Sequence, residues 1–436
     1  MNLTVLIFLL TGISISCSVL FFPTVRLFRV RIGGYWLIAL VGAALVLLCG
    51  QLPPSRLGDA FFTDSAINPL KILVLFFSMT FLSVYLDEIG FFRYLASLAA
   101  ARGNGNEKRL FLILYLLVAV LTIFTSNDII ILTFTPFICC FCKNAGVTPL
   151  PFLFGEFVAA NTWSMFLVIG NPTNIYLATA ADIGFFDYLR VMFLPTLVAG
   201  TISFLLLLFL FRHSLAQPMH VPERDDARPP RLPLVLGLSH LALCVVLLAV
   251  SSYIGIEMYA VSLALAASLL LLSLLFSIGK KERRAFLSRS LRRLPFPLAP
   301  FLLSMFVLVL ALDEAGTTRV LSELLLSRGD PVFTVGATSF LTANVINNIP
   351  MSVLFSDILR FAAPRAETYR AGVFAAVIGS NLGAYLTPLG ALAGIMWLSI
   401  LSRFGVSLKF RDFLRFGAVV AIPSLAAALA VLALVI

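Results

Sequence analysis

The stretch that decides the fold covers Leu121–Pro136 and reads LTIFTSNDIIILTFTP. It places two polar residues, Asn127 and Asp128, between two apolar arms. A second copy, LTANVINNIP, starts 220 residues later and carries Asn347 and Asn348 at the matching positions. Polar, non-helical backbone is tolerated at membrane depth only where it lines a protected cavity. The pattern therefore predicts two membrane hairpins that turn back at a polar tip.

The composition places the chain in a membrane. Of its 436 residues 60% are hydrophobic and only 12% are charged, with a mean hydropathy of +1.03. Apolar runs of about 18 residues or more recur along the chain, as in a multi-pass helical membrane protein. Most of the 31 basic residues fall in loops on one side, which accounts for the net charge of +10 without nucleic acid. We expect an integral protein of the cytoplasmic (inner) membrane, with both termini outside.

The rest of the chain reads as two copies of one unit. Residues 86–90 (LDEIG) match 312–316 (LDEAG) at an offset of 226. Later matches at an offset of 220 pair Asn161 with Asn381 and Gly170 with Gly390. Agreement at this many points indicates a duplication. With the hairpin counted as re-entrant, each unit has five spans, and an odd number inverts the second unit relative to the first.

The predicted fold is therefore an all-α polytopic membrane protein with two inverted-topology repeats, each containing a re-entrant hairpin and a broken helix. The first repeat covers 1–212, with its hairpin at 109–143 and its broken helix at 151–181. A charged, proline-containing cytoplasmic linker covers 213–231. The second repeat covers 232–436, with its hairpin at 331–362 and its broken helix at 368–402.

The predicted binding site lies at the four breaks. Inverted repeats with broken helices are typical of secondary transporters, because the breaks present helix ends to substrate near the membrane centre. Asn, Ser and Thr suit such a site since they donate and accept hydrogen bonds without carrying charge. The substrate-binding candidates are Ser126, Asn127, Asn161, Thr162, Asn171, Thr173, Asn347, Asn348, Ser380, Asn381 and Thr387. The residues expected to break the helices are Gly170, Pro172, Gly383, Pro388 and Gly390.

Two carboxylates are candidates for proton or cation coupling. Asp128 lies at membrane depth, where an ionisable group costs about 2.5–3.5 kcal/mol on insertion scales and usually has a role. The alternative is that it caps the second hairpin arm. Glu156 is the second candidate, although its position five residues into its segment also fits an interfacial residue. Asn348, the counterpart of Asp128, cannot titrate, so the two repeats differ chemically.

Other chemistries find little support in the sequence. The chain has no nucleotide-binding loop of the G-x-x-x-x-G-K-[S/T] kind and no soluble region large enough for an ATPase domain. Energy must then come from a gradient, the membrane potential or a separate ATPase subunit. Its three histidines have no metal-binding spacing, and the run Cys139-Cys140-x-Cys142 reads as apolar filler. We expect no enzyme activity, no cofactor and no bound metal.

At these residues the chain resembles the ion-transporter superfamily, which includes arsenite permeases of the ArsB type, NhaD-type sodium/proton antiporters and divalent-anion symporters. The second repeat is most similar to arsenite permeases, in the run NNIP at 347–350 and the run GSNLGAYLTPLGALAGIMWL at 379–398. The first repeat departs from them, since Ile129 and Ile130 replace small residues and Asn161 replaces an Asp. The resemblance implies that the hairpin tips and broken-helix loops bind substrate, and it allows a homodimer.

The sequence and the resemblance together favour a secondary active transporter that exports arsenite or antimonite in exchange for protons. A sodium/proton antiporter is the first alternative, with Asp128 and nearby carbonyls holding sodium. A carboxylate or inorganic-anion symporter is the second. From another class, a non-transporting membrane scaffold or receptor stays open, although paired broken helices argue against it.

Overall fold

The structure, a computed structural model, describes residues 2–21, 24–27, 30–63, 68–103, 105–216, 228–251, 253–276, 281–327, 329–362 and 365–436. Within these ranges the chain is helical apart from one short ribbon and the connecting turns, as the sequence predicted. The ribbon pairs β1 (Thr24–Leu27) with β2 (Val30–Gly33) in antiparallel register. The all-helical prediction did not include this ribbon. In both segments an arginine lies between apolar or β-branched residues, and this alternation is typical of strands.

The helices of the first half surround the predicted hairpin and broken helix. Helices α8 and α9 are separated by a short 3₁₀ turn at Val168–Gly170. The helices are α1 (Leu3–Phe21), α2 (Gly34–Leu48), α3 (Pro54–Phe62), α4 (Pro69–Glu88), α5 (Phe91–Gly103), α6 (Glu107–Phe124), α7 (Asn127–Ala145), α8 (Leu150–Trp163), α9 (Pro172–Ala180) and α10 (Phe185–Leu210).

The second half repeats this order. Of the predicted linker, Ser214–Ala216 forms a 3₁₀ turn, and 217–227 lie outside the described residues. The helices are α11 (Arg231–Ser251), α12 (Met258–Leu275), α13 (Lys281–Arg292), α14 (Leu298–Glu314), α15 (Thr317–Leu326), α16 (Pro331–Ile346), α17 (Asn348–Arg360), α18 (Ala366–Gly383), α19 (Leu392–Arg403) and α20 (Phe410–Val435).

Several helices begin at a short Asx-Pro signal that can be seen in the sequence. The Asn68 side chain accepts a hydrogen bond from the Leu70 amide at 2.9 Å, and Pro69 opens α4. Asn171 before Pro172 and Asp330 before Pro331 cap α9 and α16 in the same way. The side chain satisfies an amide that the first turn leaves unpaired, and proline fits there because its own missing N–H would be unpaired in any case.

Helix packing repeats between the halves. α6 packs on α8, and α16 packs on α18. α2 packs on α14 of the second half, and α4 packs on α12. α10 and α20 pack on each other. Exchanging each helix with the one ten places further on reproduces these contacts. The division into two repeats and the inversion of the second both stay predictions.

Six helices among the described residues are long and apolar enough to cross a membrane, namely α4, α7, α10, α11, α12 and α20. α14 and α15 pass the same test together, with a bend of 79° between them. α4 is mostly buried, whereas α12 exposes most of its apolar surface. α4 therefore lies inside the bundle, and α12 lies on the face that lipid would cover.

Candidate functional site

The first tip lies between α6 and α7, at Thr125 and Ser126. Asn127, the first residue of α7, donates from its side-chain amide to the side-chain oxygen of Asn161 at 3.1 Å. Its own side-chain oxygen accepts the backbone amide of Asp128 at 3.0 Å, and the Ser126 hydroxyl lies 3.5 Å away. These polar side chains are at most 8% exposed. The tip is therefore held inside the protein by a side chain of α8.

The depth of this tip follows from its partner. Asn161 lies eleven residues after the start of α8, which is about 16 Å along a helix that rises 1.5 Å per residue. α8 ends two residues later, where the broken helix is interrupted. The tip therefore lies beside the break of the broken helix.

The second arms of the two hairpins differ in length. α7 has 19 residues and is long enough on its own to cross a membrane, whereas α17 has 13 and is too short.

Asp128 is the second residue of α7 and is 7% exposed. The partial positive charge at a helix N-terminus stabilises a carboxylate there. Its neighbours Ile129 and Ile131 on α7 are buried, and an apolar interior solvates a charge poorly. Asp128 thus combines a stabilising and a destabilising environment for its charge.

The second tip uses different bonds. Asn347 has φ 75° and ψ 154°, a backbone conformation that costs about 1–3 kcal/mol for a residue with a side chain. Its side-chain amide donates to the Leu389 carbonyl at 3.0 Å. The backbone N–H of Asn348 donates to the Gly390 carbonyl at 3.1 Å. The side-chain oxygen of Asn348 is buried and has no hydrogen-bond partner among the described residues. An acceptor is therefore left open at this tip.

Asn344 also belongs to the second tip, although the sequence analysis did not select it. Its side-chain oxygen accepts from both the backbone amide and the hydroxyl of Thr387, at 3.0 and 2.7 Å. It thereby joins the hairpin to the break between α18 and α19. The available signal was a lone amide within an apolar arm, one turn before the tip. Its counterpart in the first repeat is Phe124, so the repeat pattern gave no support.

The breaks of the two repeats meet in a buried network of amides. The side-chain oxygen of Asn381 accepts from the Ser164 hydroxyl and from the Asn171 amide, both at 2.9 Å. Its own amide donates to the Asn174 side-chain oxygen at 2.7 Å and to the Val377 carbonyl at 2.8 Å. We call Asn381, Asn171, Asn174 and Ser164 the central amide network. It fastens the broken helix of one repeat to that of the other.

Three further contacts between hydroxyl groups cross between the repeats nearby. The hydroxyls of Thr173 and Ser380 lie 3.1 Å apart, and the Thr162 hydroxyl donates to Tyr385 at 3.3 Å. The Tyr385 hydroxyl is also 3.4 Å from Ser203 on α10. Ser164, Asn174 and Tyr385 were not among the selected site residues, because a single polar residue beside a break gives no local signal of its partner.

The predicted helix-break residues lie where the backbone is crowded. A Cβ added at Gly170 would collide with the Ser164 carbonyl, and one at Gly390 would collide with the Gly383 carbonyl. Pro172 opens α9, and Gly383 is the last residue of α18. Pro388 lies in the irregular stretch between α18 and α19. Glycine is needed at these close approaches because any side chain would separate the two backbones.

Glu156 lies apart from the central amide network. Its residue is 2% exposed, so it lies inside the protein. The Thr135 hydroxyl of α7 donates to its two carboxylate oxygens at 2.9 and 3.1 Å. Thr135 is seven residues after Asp128, or about 10 Å further along the helix. The structure therefore places the two predicted coupling residues at different depths along α7.

A cavity of about 640 Å³ reaches the broken helix from the end of α4 that carries Lys71. Ile175, the neighbour of Asn174, lines it together with Val168 of the 3₁₀ turn. At its rim Lys71 pairs with Glu257 at 2.7 Å. The cavity thus reaches α9 from this end of the molecule, although the four residues of the central amide network do not line it.

Comparison with known proteins gives concordant results. Residues 27–371 match the family described as Citrate transporter (CitMHS). An arsenical pump membrane protein of Escherichia coli is 30% identical over 372 residues, which are 82% of this chain and 85% of that protein. A putative arsenical pump membrane protein of Bacillus subtilis (strain 168) is 26% identical over 415 residues, covering 86% and 89%. The YdaH transporter of Alcanivorax borkumensis, reported to have an unusual topology, aligns with a TM-score of 0.55 at 13% identity, covering 99% and 97%.

The helical bundle, its apolar spans and these matches define a multi-pass integral membrane transporter. The chain belongs to the citrate transporter (CitMHS) family, which lies within the ion-transporter superfamily that the sequence resembles. The likeness to the YdaH transporter supports the fold alone, because the identity is low.

Proposed function

We propose that the protein exports a neutral trihydroxy metalloid, arsenite or antimonite, in exchange for protons. The observation that carries this proposal is that two uncharged amide side chains and one buried carboxylate occur together at the first tip. Asn127 and Asn161 bond to each other at 3.1 Å, and Asp128 follows Asn127 directly. Relatives that cover most of the chain are named arsenical pump membrane proteins, which supports this substrate class.

The chemistry of the site fits such a substrate. Arsenite and antimonite are largely uncharged at neutral pH and carry three hydroxyl groups, each able to donate and to accept. Amide and hydroxyl side chains offer both functions without charge. The open acceptor at Asn348 and the amide pair at the first tip lie on opposite repeats. We infer that substrate hydroxyls replace some of the bonds that these amides now make with each other.

Asp128 supplies the proton step in this proposal. When ionised it is stabilised by the N-terminus of α7, and when protonated it suits its apolar neighbours. A substrate that binds one of these forms more tightly shifts the pKa of the group, and the same coupling links substrate release to proton uptake. Glu156 of α8, which contacts α7 at Thr135, about 10 Å along the helix from Asp128, is the second proton site of the proposal.

The test is transport by the purified protein in proteoliposomes with an imposed pH gradient. Arsenite, sodium and a dicarboxylate are compared in the wild type, in Asp128→Asn, and in Asp59→Asn. Asp59 is an exposed aspartate on α3 that lines neither cavity, and it serves as the control. We expect arsenite flux that follows the pH gradient, is lost in Asp128→Asn and is retained in Asp59→Asn. Since no ATPase is present, this flux would also show that a separate subunit is dispensable.

Other outcomes redirect the proposal. Proton movement that depends on sodium, without arsenite flux, would replace metalloid export by sodium/proton antiport. Flux of the dicarboxylate alone would replace it by anion symport. Arsenite flux that is equal in Asp128→Asn and the wild type would remove Asp128 from the coupling.

A further inference from the structure

A second, larger cavity of about 720 Å³ lies at the other end of α4, beside the second arm of the first hairpin. Asp87 and Glu88 at the end of α4 line it, as does Arg93 on α5. Arg293, just after α13, closes part of its rim by pairing with Asp87 at 2.5 Å and with Glu88 at 2.9 Å. The cavity is therefore polar at its mouth. The central amide network and the tip residues do not line it.

The inner wall of this cavity is one stripe of α7. Leu132, Pro136 and Cys140 line it at intervals of four residues, which is one face of a helix. Extending the stripe by one more turn reaches Asp128, about 6 Å beyond Leu132. Proline lacks the N–H that would bond the Leu132 carbonyl, so this carbonyl is free to accept from a solute. The cavity thus leads along α7 towards the first tip.

The second repeat carries the same stripe in a closed form. At the offset of 220, Leu132, Pro136 and Cys140 correspond to Ser352, Ser356 and Arg360 of α17. Ser352 is 1% exposed and Ser356 is 7% exposed. The first-repeat counterparts are half-buried, and Cys140 is exposed. The two stripes therefore differ at their first two positions, which are covered in α17 and half-buried in α7, whereas Arg360 and Cys140 at the third position are both exposed.

An ion pair accounts for the covered side. Arg360 donates to both carboxylate oxygens of Asp313, at 3.0 and 2.8 Å, and so ties α17 to the end of α14. Asp313 is the repeat counterpart of Asp87, and the Thr318 hydroxyl holds it from the other side at 2.6 Å. The first repeat has Cys140 in place of Arg360, and a thiol side chain is far shorter than an arginine. Among the described residues, an ion pair from the hairpin to this aspartate is therefore found in the second repeat, whereas in the first repeat Asp87 pairs with Arg293, which lies just after α13.

We propose that the cavity beside α7 is the route by which a small polar solute reaches the first tip from one side of the membrane. The Arg360–Asp313 pair is the lock on the equivalent route beside α17, and the two routes open in alternation. This inference rests on the proposed transport function, because alternation serves only a protein that moves a solute across.

The native cysteines allow a direct test. Cys140 is exposed in the cavity, whereas Cys139 and Cys142 on the same helix are buried. In a full-length protein with Cys140 as its only cysteine, a polar maleimide should react with Cys140, and its attachment should block transport. In a second variant, with all native cysteines replaced and Ser356→Cys added, the new thiol should react slowly.

Breaking the lock should reverse this pattern. In Arg360→Ala, and separately in Asp313→Asn, we expect the Cys140 rate to fall and the Ser356→Cys rate to rise, each by about threefold to tenfold, because a lost ion pair shifts a two-state equilibrium. The matched control is Arg319→Ala, which breaks an exposed pair with Glu323 and should change neither rate. Elution as a single folded species from gel filtration is required of each variant.

The inference is overturned if both rates are unchanged in Arg360→Ala and Asp313→Asn, or if modified Cys140 leaves transport intact. Labelling needs no particular substrate, which separates this result from that of the transport assay. If the two labelling rates change in opposite directions but the protein does not transport arsenite, the proposed substrate is refuted and the role of the Arg360–Asp313 pair is retained. Arsenite transport with no reciprocal change would refute the lock alone.

Discussion

Replacing Asn381 by alanine should be the most damaging single amide substitution in the site. The side chain makes three bonds to the other repeat, two as acceptor from Ser164 and Asn171 and one as donor to Asn174. All four residues are at most 2% exposed or lie within the buried break. Alanine would leave the Asn171 side-chain amide without an acceptor in a buried site, while Ser164 would keep only its 2.8 Å bond to the Asn161 carbonyl and the side-chain oxygen of Asn174 only a 3.5 Å contact with Thr173.

The magnitude follows from bonds of this kind in membrane proteins, which average about 0.6 kcal/mol and reach about 1.7 kcal/mol. Three cross-repeat bonds then give a loss of about 2–5 kcal/mol in the free energy of unfolding for Asn381→Ala. Ser380→Ala, at the residue before Asn381, removes a single cross-repeat bond, the 3.1 Å contact with Thr173. It should cost about 0.6–1.7 kcal/mol and is the matched control.

The assay is equilibrium unfolding in mixed micelles of a mild detergent and dodecyl sulphate, followed by tryptophan fluorescence. A double-mutant cycle of Asn381→Ala with Asn171→Ala isolates the 2.9 Å bond between them. A coupling free energy indistinguishable from zero, or a loss in Asn381→Ala no larger than that in Ser380→Ala, would refute the reasoning that this network joins the repeats.

Three further predictions concern single positions. The free energy of unfolding should be about 1–3 kcal/mol higher for Asn347→Gly than for Asn347→Ala, because both variants lose the side-chain bonds and only glycine relieves the positive φ. Chemical unfolding measures this difference, and equal stabilities would contradict backbone strain at this position. Thr135→Val should shift the pH profile of transport without abolishing flux, since it removes the hydroxyl that stabilises ionised Glu156; a profile identical to that of the wild type would exclude a proton role for Glu156. Gly170→Ala should abolish transport and lower thermal stability, because the added Cβ collides with a backbone carbonyl; normal transport would show that the break is adaptable.

The sequence predicted the helix breaks well because their signals are local. Asn171 before Pro172 caps the second half of the broken helix, and the structure starts α9 at Pro172. The pair Asn347-Asn348 likewise falls where α16 gives way to α17. Such breaks depend on missing amide hydrogens and on backbone conformation, both properties of the residue itself.

The hydrogen-bond partners of the amides could not be predicted from the sequence. They depend on which donor and acceptor sites are already occupied in the folded protein. The repeat pattern suggests that Asn347 should bond to Asn381, as Asn127 does to Asn161. The side-chain oxygen of Asn381 already accepts two donors, and its amide donates to Asn174 and Val377. An amide side chain has two donor hydrogens and two acceptor sites, so Asn381 has none left. Asn347 bonds instead to the backbone carbonyl of Leu389.

The difference between Asp128 and Asn348 bears on how two similar repeats can perform one coupled task. Exchange of a neutral substrate for a proton needs a group whose charge differs between the empty and the loaded state, and one such group is enough. A second carboxylate at Asn348 would add a charge to be buried at the other tip, at a cost of about 2.5–3.5 kcal/mol. An amide there keeps a polar acceptor for the substrate without that cost. The repeat that carries the proposed proton site is also the one whose hairpin has Cys140 where the other has Arg360. Under the proposed mechanism, proton access and the route beside α7 fall on the same hairpin, and the Arg360–Asp313 pair falls on the hairpin that needs no proton.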